Sequence, residues 1–435
     1  MSTDLGTCRE PASSGARRVQ PVTPHAPHTS RLTILRPAAL FDGSSPALLA
    51  RPSVVVADGV IAAVHGPAGP VPAGADVVDL PGLTLLPGLV DTHLHLCFDA
   101  SKDPVGHLAD TSDGLLREQM AGAARRALRA GVTTVRDLGD RGYLALDLRD
   151  HGLAGEADPL PAIVAAGPPI TTPGGHCHFL GGTASGERAL RAAVRERAER
   201  GVDVIKVMAS GGNMTPGSLA HEPQFDAESL RAIVDEAHCH GLPVTAHAHS
   251  ARSIADAVAA GVDGIEHATF MTADGVDAPE AVIRDIVSRQ IAVGCTVGID
   301  PAQAGPPMPQ IARRLASMGA ARRRLYESGA VLVAGSDAGV SPAKPHDVLR
   351  FAPADLASAG LGPAEILCAM TSRAAQACGL GHRKGRIASG FDADILAIDG
   401  NPLDDLAAIR KLRAVYVGGR PVVPAPGNPD SSEER

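Results

Sequence analysis

Two histidines one residue apart, His93 and His95, close the apolar run Leu85-Leu86-Pro87-Gly88-Leu89-Val90-Asp91-Thr92. Alternate residues of a strand share a face, so both imidazoles project from one side of the strand's end. Two such imidazoles begin a transition-metal site, which needs further ligands. Residue types that could supply them recur farther on. Lys206 sits in Ile205-Lys206-Val207-Met208, and His247 closes Pro243-Val244-Thr245-Ala246-His247. His267 closes Gly264-Ile265-Glu266-His267, and Asp337 follows Val331-Leu332-Val333-Ala334-Gly335-Ser336. Each alone has an ordinary explanation: a strand-end histidine can be a hydrogen-bonded structural residue, and an aspartate after Gly-Ser can cap a helix. Lys206 resists such an explanation, because an ammonium in an apolar strand is costly unless neutralised or paired. Together the six describe one metal site, provided their strands end on a common rim.

The pattern of elements provides that rim. From Leu85 onward, strand-forming runs alternate with helical sequence. Strands are expected at 85–95, 132–137, 162–166, 202–208, 243–247, 264–267, 291–296 and 331–337. Helices are expected near 114–130, 187–200, 227–240, 251–260, 280–289 and 318–328, several followed by the glycine of a C′ cap (Gly131, Gly201, Gly241, Gly261, Gly329). Eight strands alternating with helices predict an α/β fold, a (β/α)8 TIM barrel whose active site lies at the C-terminal strand ends. An open doubly wound sheet is the competing arrangement, but the Gly-rich phosphate loop usual after its first strand is missing.

Flanking the barrel region are shorter strands. The turn Ala57-Asp58-Gly59 separates two of them, a hairpin signal. After a helix expected at 364–378, strands recur at 393–398, 414–417 and 421–423. Two or three strands alone are marginal in water. Segments 31–84 and 383–423 are therefore expected to combine in one small β-sandwich domain, with residues 85–382 forming the barrel. Residues 1–30 and 424–435 are polar or Pro/Gly-rich without periodicity, as disordered tails are.

Composition narrows the function classes. A net charge of −8, with 44% hydrophobic and 20% charged residues, suits a soluble globular protein and argues against a nucleic-acid footprint. The Arg-rich stretches 191–200 and 313–324 have the spacing of solvated helix faces. No apolar run reaches the ~18 residues of a membrane span, and no signal-peptide pattern opens the chain. Seven scattered cysteines without a CxxC pair suit a reducing compartment, hence the cytoplasm. The expected partner is a small-molecule substrate, and the helical exterior of a barrel leaves self-association open. Aromatics are 2% of the chain, with no Trp, so stacked rings are not expected to line the pocket.

The stretch 86–95 resembles the first-strand metal motif of the amidohydrolase superfamily of metal-dependent hydrolases. Thr371-Ser372-Arg373-Ala374-Ala375, Gly385-Arg386-Ile387 and Gly390-Phe391-Asp392-Ala393-Asp394-Ile395 are similar to its C-terminal pattern. Within the superfamily, Ile205-Lys206, Ser210-Gly211-Gly212, His247-Ala248-His249 and Ile265-Glu266-His267 look like the branch of Xaa-Pro dipeptidases (prolidases), imidazolonepropionase-like proteins and ochratoxinase. The resemblance implies two divalent metal ions, usually zinc. His93, His95 and Asp337 would hold one and His247 and His267 the other, with Lys206 carboxylated and bridging both. It also implies hydrolysis of an amide or peptide-like C–N bond, in a dipeptide or N-acyl amino acid, by metal-activated hydroxide. Asp337 is then the general base. His249, one pleat beyond His247, and His176 and Asn213, in loops after the third and fourth strands, are substrate-contact candidates; His178 competes with His176. Arg136 and Asp137 could form a supporting ion pair. A mononuclear deaminase or cyclic-amide hydrolase of the same superfamily is the alternative, but Lys206 and the lack of a Glu just after His247 count against it. A non-catalytic scaffold would be expected to have lost ligands, and here all six positions are filled.

Overall fold

The computed structural model describes residues 32–67, 69–153 and 159–423; the expected tails at 1–30 and 424–435 lie outside them. Five strands come first: β1 (Leu32–Leu40), β2 (Leu49–Ala50), β3 (Ser53–Ala57), β4 (Val60–His65) and β5 (Asp76–Pro87). Three come last: β14 (Ile395–Asp399), β15 (Leu412–Val417) and β16 (Arg420–Val423). The two groups join in one eight-stranded sheet of order β16-β15-β14-β5-β1-β3-β4, with β2 paired to β1. The seam is antiparallel, Leu396 facing Leu86 and Ala397 facing Leu85. Leu35, Val54, Ile61, Leu85, Ile395 and Tyr416 share a small core of their own.

Between these groups run eight strands: β6 (Leu89–Leu94), β7 (Val132–Asp137), β8 (Ala162–Ala165), β9 (Ile205–Met208), β10 (Val244–Ser250), β11 (Gly264–Met271), β12 (Ala292–Thr296) and β13 (Val331–Gly335). All eight expected strands are present. They form two parallel sheets, β6-β7-β8 and β13-β12-β11-β10-β9. Single bridges link the sheets at both edges, Ile170 to Val207 and Leu94 to Ala338. Ile170 N donates to Lys206 O (2.8 Å), Met208 N to Ile170 O (2.8 Å) and His95 N to Ala338 O (3.0 Å). Gly335 permits β13 to lie this close, since an added Cβ would stand 2.6 Å from His93 Cβ. Most strands are buried on both faces, which accounts for their continuous Val/Ile/Ala runs.

Helices follow the strands: α1 (Pro104–Asp110) and α2 (Asp113–Arg129), α3 (Leu144–His151), α4 (Glu187–Arg200), α5 (Ala227–Cys239), α6 (Ala251–Ala260), α7 (Glu280–Ser288), α8 (Pro309–Ala312) and α9 (Leu315–Glu327), then α10 (Ala352–Ser358). The five glycines expected to end helices all have positive φ, between 69° and 94°. The helix expected at 364–378 is two, α11 (Pro363–Met370) and α12 (Ser372–Ala377). It breaks at Thr371, whose φ and ψ of −133° and −92° leave the helical region. β10 and β11 overrun their expected ends by several residues, pairing on to Ser250 and Met271 through a register shift after Ala248. That overrun keeps His249 and Thr269 inside the strands. Cys97, Cys177, Cys295, Cys368 and Cys378 are free. Among the described residues, no helix is long and apolar enough to cross a membrane.

Candidate metal centre

The C-terminal ends of the parallel strands carry the residues singled out from the sequence. β6 delivers His93 and, just beyond it, His95; β9 delivers Lys206, β10 His247 and His249, and β11 His267. Asp337 stands two residues past β13. The donor atoms of His93, His95 and Asp337 all lie within 4.8 Å of one another, as do those of His247, His249 and His267. The two groups adjoin, with 5.1 Å between the ring centres of His93 and His267. Lys206 sits beside them, its Nζ 3.5 Å from His93 Nε2.

In each of these five imidazoles one nitrogen is anchored by the protein, leaving the other for the site. His93 Nδ1 meets Glu266 Oε2 at 3.0 Å, and His95 Nδ1 meets Gly139 O at 2.9 Å. Their Nε2 atoms are each 3.6 Å from Asp337 Oδ1. His247 Nε2 contacts Gly211 O (3.0 Å), His249 Nδ1 contacts Thr269 Oγ1 (2.9 Å), and His267 Nδ1 contacts Thr296 Oγ1 (3.2 Å). Anchoring of this kind fixes ring orientation and tautomer, as it does for metal-binding histidines. His267 and Asp337 adopt positive φ (72° and 57°), a strained backbone of the kind that gathers at functional sites.

The electrostatics favour cations from outside. Burial, reinforced by the Lys206 charge, lowers the His93 imidazolium to about 4. Burial also lowers His249 to about 4, and pushes His247 and His267 well below the ordinary range. These rings are therefore neutral, with lone pairs free. Burial brings the Lys206 ammonium down to about 8. Burial would raise the Asp337 carboxyl, but His93 and His95 beside it outweigh that and hold it below its usual value. It remains an anion, its side chain 21% exposed. Neutral imidazoles facing a carboxylate are a donor set suited to divalent transition metals.

Glu266 lies at the centre of the contacts behind His93. It is buried, and it accepts from Arg136 Nη2 (2.9 Å) and Thr245 Oγ1 (2.7 Å) while holding His93. Although burial raises it, Arg136 and the His93 contact keep its carboxyl well below the usual range. Arg136 is thus paired with Glu266 and not with Asp137, which instead accepts from the Leu96 and Gly139 amides.

Of the substrate-contact candidates, His176 is brought to the cluster: it is buried, and its ring centre lies 4.8 Å from that of His247. Its Nδ1 is buried without a hydrogen-bond partner, and burial lowers its imidazolium to about 3. Its backbone N–H donates to Gln224 Oε1 (2.5 Å), whose Nε2 donates to Met208 O (2.8 Å), tying the loop after β8 to the end of β9. His178 is exposed and bonded to Gly175 O. Asn213 is exposed in the loop after β9, outside both donor groups.

Residues 84–422 match the model of the Amidohydrolase family. Ochratoxinase of Aspergillus niger is 27% identical over 378 residues, covering 77% of this chain and 75% of that protein. Imidazolonepropionase of Deinococcus deserti is 27% identical over 420 residues, covering 89% and 93%. Among solved structures, a Xaa-Pro dipeptidase with bound methionine in the active site superposes with a TM-score of 0.79 at 28% identity, covering 90% of this chain and 99% of that one. The chain belongs to the amidohydrolase family and is a hydrolase.

Proposed function

We propose that this chain is a binuclear metal-dependent amidohydrolase that cleaves an amide or peptide-like C–N bond in a dipeptide or N-acyl amino acid. The observation that carries this reading is the pair of adjoining donor groups, His93–His95–Asp337 and His247–His249–His267, with Lys206 beside them. His93, His95 and Asp337 would hold one divalent ion, most fittingly Zn2+, and His247 and His267 the second. Lys206 would bridge them once carboxylated: its neutral amine, accessible near pH 8, adds CO2 and loses a proton to become an anionic carbamate. Bound there, the ions would supply an activated water and polarise the scissile carbonyl.

The chain's own residues do the rest. Asp337 Oδ1 takes the proton from the attacking water and then releases it to the leaving nitrogen, which departs as an amine. Glu266 holds His93 in the tautomer that keeps Nε2 unprotonated. The unpartnered His176 Nδ1 is placed to meet the substrate, while His249 and Asn213 contact its remainder. His249, whose donor atom groups with those of His247 and His267, could also donate to the second ion. The relatives named Xaa-Pro dipeptidase and ochratoxinase support the substrate class.

The same reading extends to the frame. The bridges at both sheet edges support closure of the eight parallel strands into a (β/α)8 barrel spanning 85–382. The separate small core supports a composite β-sandwich domain of 31–84 and 383–423. The free thiols of Cys97, Cys177, Cys295, Cys368 and Cys378 support a cytoplasmic setting.

The test is a screen of aminoacyl-proline and N-acyl amino acid libraries with zinc-loaded protein, with Asp337→Asn as the blank. Two ions per chain and turnover absent from the blank are expected. One ion per chain, unaffected by Lys206→Ala, would overturn the binuclear assignment.

A further inference from the structure

Helix α12 packs Ala374 and Ala375 on Val90, in the N-terminal half of the strand whose other end carries His93. Its other side borders a cleft of about 500 Å³, lined by Ser44, Ser372, Arg373, Gln376, His382 and Arg386 and two glycines. We propose that this cleft is a binding site for a small organic phosphate, distinct from the metal centre.

The lining side chains offer two guanidinium groups, an imidazole, an amide and two hydroxyls, with no carboxylate among them. Among the described residues Arg373 has no hydrogen-bonded or ion-paired partner. Arg386 is partly pre-set: its Nη2 donates to Ser44 Oγ (3.0 Å), and its guanidinium lies 5.8 Å from the centre of the Phe391 ring. Its Nε is buried without a hydrogen-bond partner, and such an orphan donor is costly until something accepts from it.

The acids around the cleft make their hydrogen bonds and ion pairs to other groups, and Glu365 meets Arg373 only through its charge, which helps hold the Glu365 carboxyl low. Asp42 accepts from the amides and hydroxyls of Ser44 and Ser45. Glu365 accepts from Gly362 N and the Tyr326 hydroxyl. Asp392 is paired with Arg383 and Lys384, and Asp394 with Lys384. The cleft lining itself thus carries two guanidiniums and no carboxylate, in a chain of net charge −8.

A guanidinium fork matches the spacing of phosphate oxygens. Two forks and an imidazole lining one cleft suit a dianion better than a single carboxylate. The cleft exceeds a bare phosphate, leaving room for an organic portion beside Gln376 and Ser372.

The test is calorimetric titration of inorganic phosphate into the full chain at fixed ionic strength set with chloride. Arg373→Gln, Arg386→Gln and the double variant are compared with the wild type. Arg373→Gln breaks no bond within the protein, so it should fold normally, with an unchanged melting temperature. Because a metal pair can itself take phosphate, the quantity read is the binding component lost in the variants at unchanged metal content. Loss of a charge-assisted contact is expected to weaken that component about tenfold in each single variant, and to remove it in the double. Affinity within about twofold of wild type in the double variant, or equal displacement by chloride, would overturn the proposal. Either result leaves the reading of the metal centre untouched.

Discussion

Glu266 is the side chain on which the orientation of His93 depends. It is 1% exposed, yet its carboxylate is satisfied by an arginine, a threonine hydroxyl and the imidazole. Arg136→Met would strand the carboxylate without its cation; breaking a buried pair in this way costs about 3–5 kcal/mol, read as a lower urea midpoint. A midpoint unchanged from wild type would show that the pair is not needed. Glu266→Gln keeps the shape but loses the charge that anchors His93 Nδ1–H. Metal affinity is expected to fall about 10–100-fold in competition with a chromophoric chelator, and an unaltered affinity would separate Glu266 from the metal centre. Like Lys206, Glu266 is a charge inside an apolar strand, one strand over from His247. The six ligand candidates were legible because each is a metal-binding or charged side chain within or just after an apolar strand run. Glu266 points into the same interior, but its partners, Arg136 and Thr245, are 130 and 21 residues away and carry no spacing signal.

At the scale of elements, strands and helices announced themselves through apolar runs and terminal glycines, whereas the loops did not. The position of His176 depends on Gln224, 48 residues later, and on Gly212. A Cβ at Gly212 would lie 2.3 Å from His176 Nε2. Because the atom met is the far end of a side chain, Gly212→Ala should swing the ring aside at little cost in stability. Once a substrate is in hand, the expected outcome is a KM raised about tenfold, with kcat and metal content changed little. Gln224→Ala should act through the same ring, so that combining it with Gly212→Ala adds less than the sum. Additive effects, or loss of metal in either variant, would detach Gln224 and Gly212 from His176. The overrun of β10 and β11, which brings His249 against His267 with ring centres 4.3 Å apart, was equally hidden. It relies on positive φ at His267, Ala268 and Phe270, where no glycine signals the bend.

Across the whole molecule, one consequence of gathering histidines in a dry interior is acid lability. Burial holds His93, His249 and His346 at about 4 and His176 at about 3, with His247 and His267 also well below the ordinary 6.5. Between roughly pH 6.5 and 4 the unfolded chain therefore takes up protons on these six rings that the metal-free native state refuses. Stability follows the difference in bound protons, so it is complete above about pH 6.5 and declines as pH falls through that window. Three buried carboxyls work the other way. Burial raises Asp91 to about 6 and lifts Asp137 and Asp140 as well, so the native state holds protons there that the unfolded chain releases. Six imidazoles against three carboxyls leave the imidazoles dominant, and each net proton is worth about 1.4 kcal/mol per pH unit. Chelator-treated protein should accordingly unfold at a clearly lower urea concentration at pH 5 than at pH 7. His346 lies outside the donor groups, with Nε2 3.0 Å from His95 O, so His346→Gln should flatten the dependence without removing a ligand. Equal midpoints at the two pH values would mean that the rings are not held neutral and do not present free lone pairs to a cation before it binds.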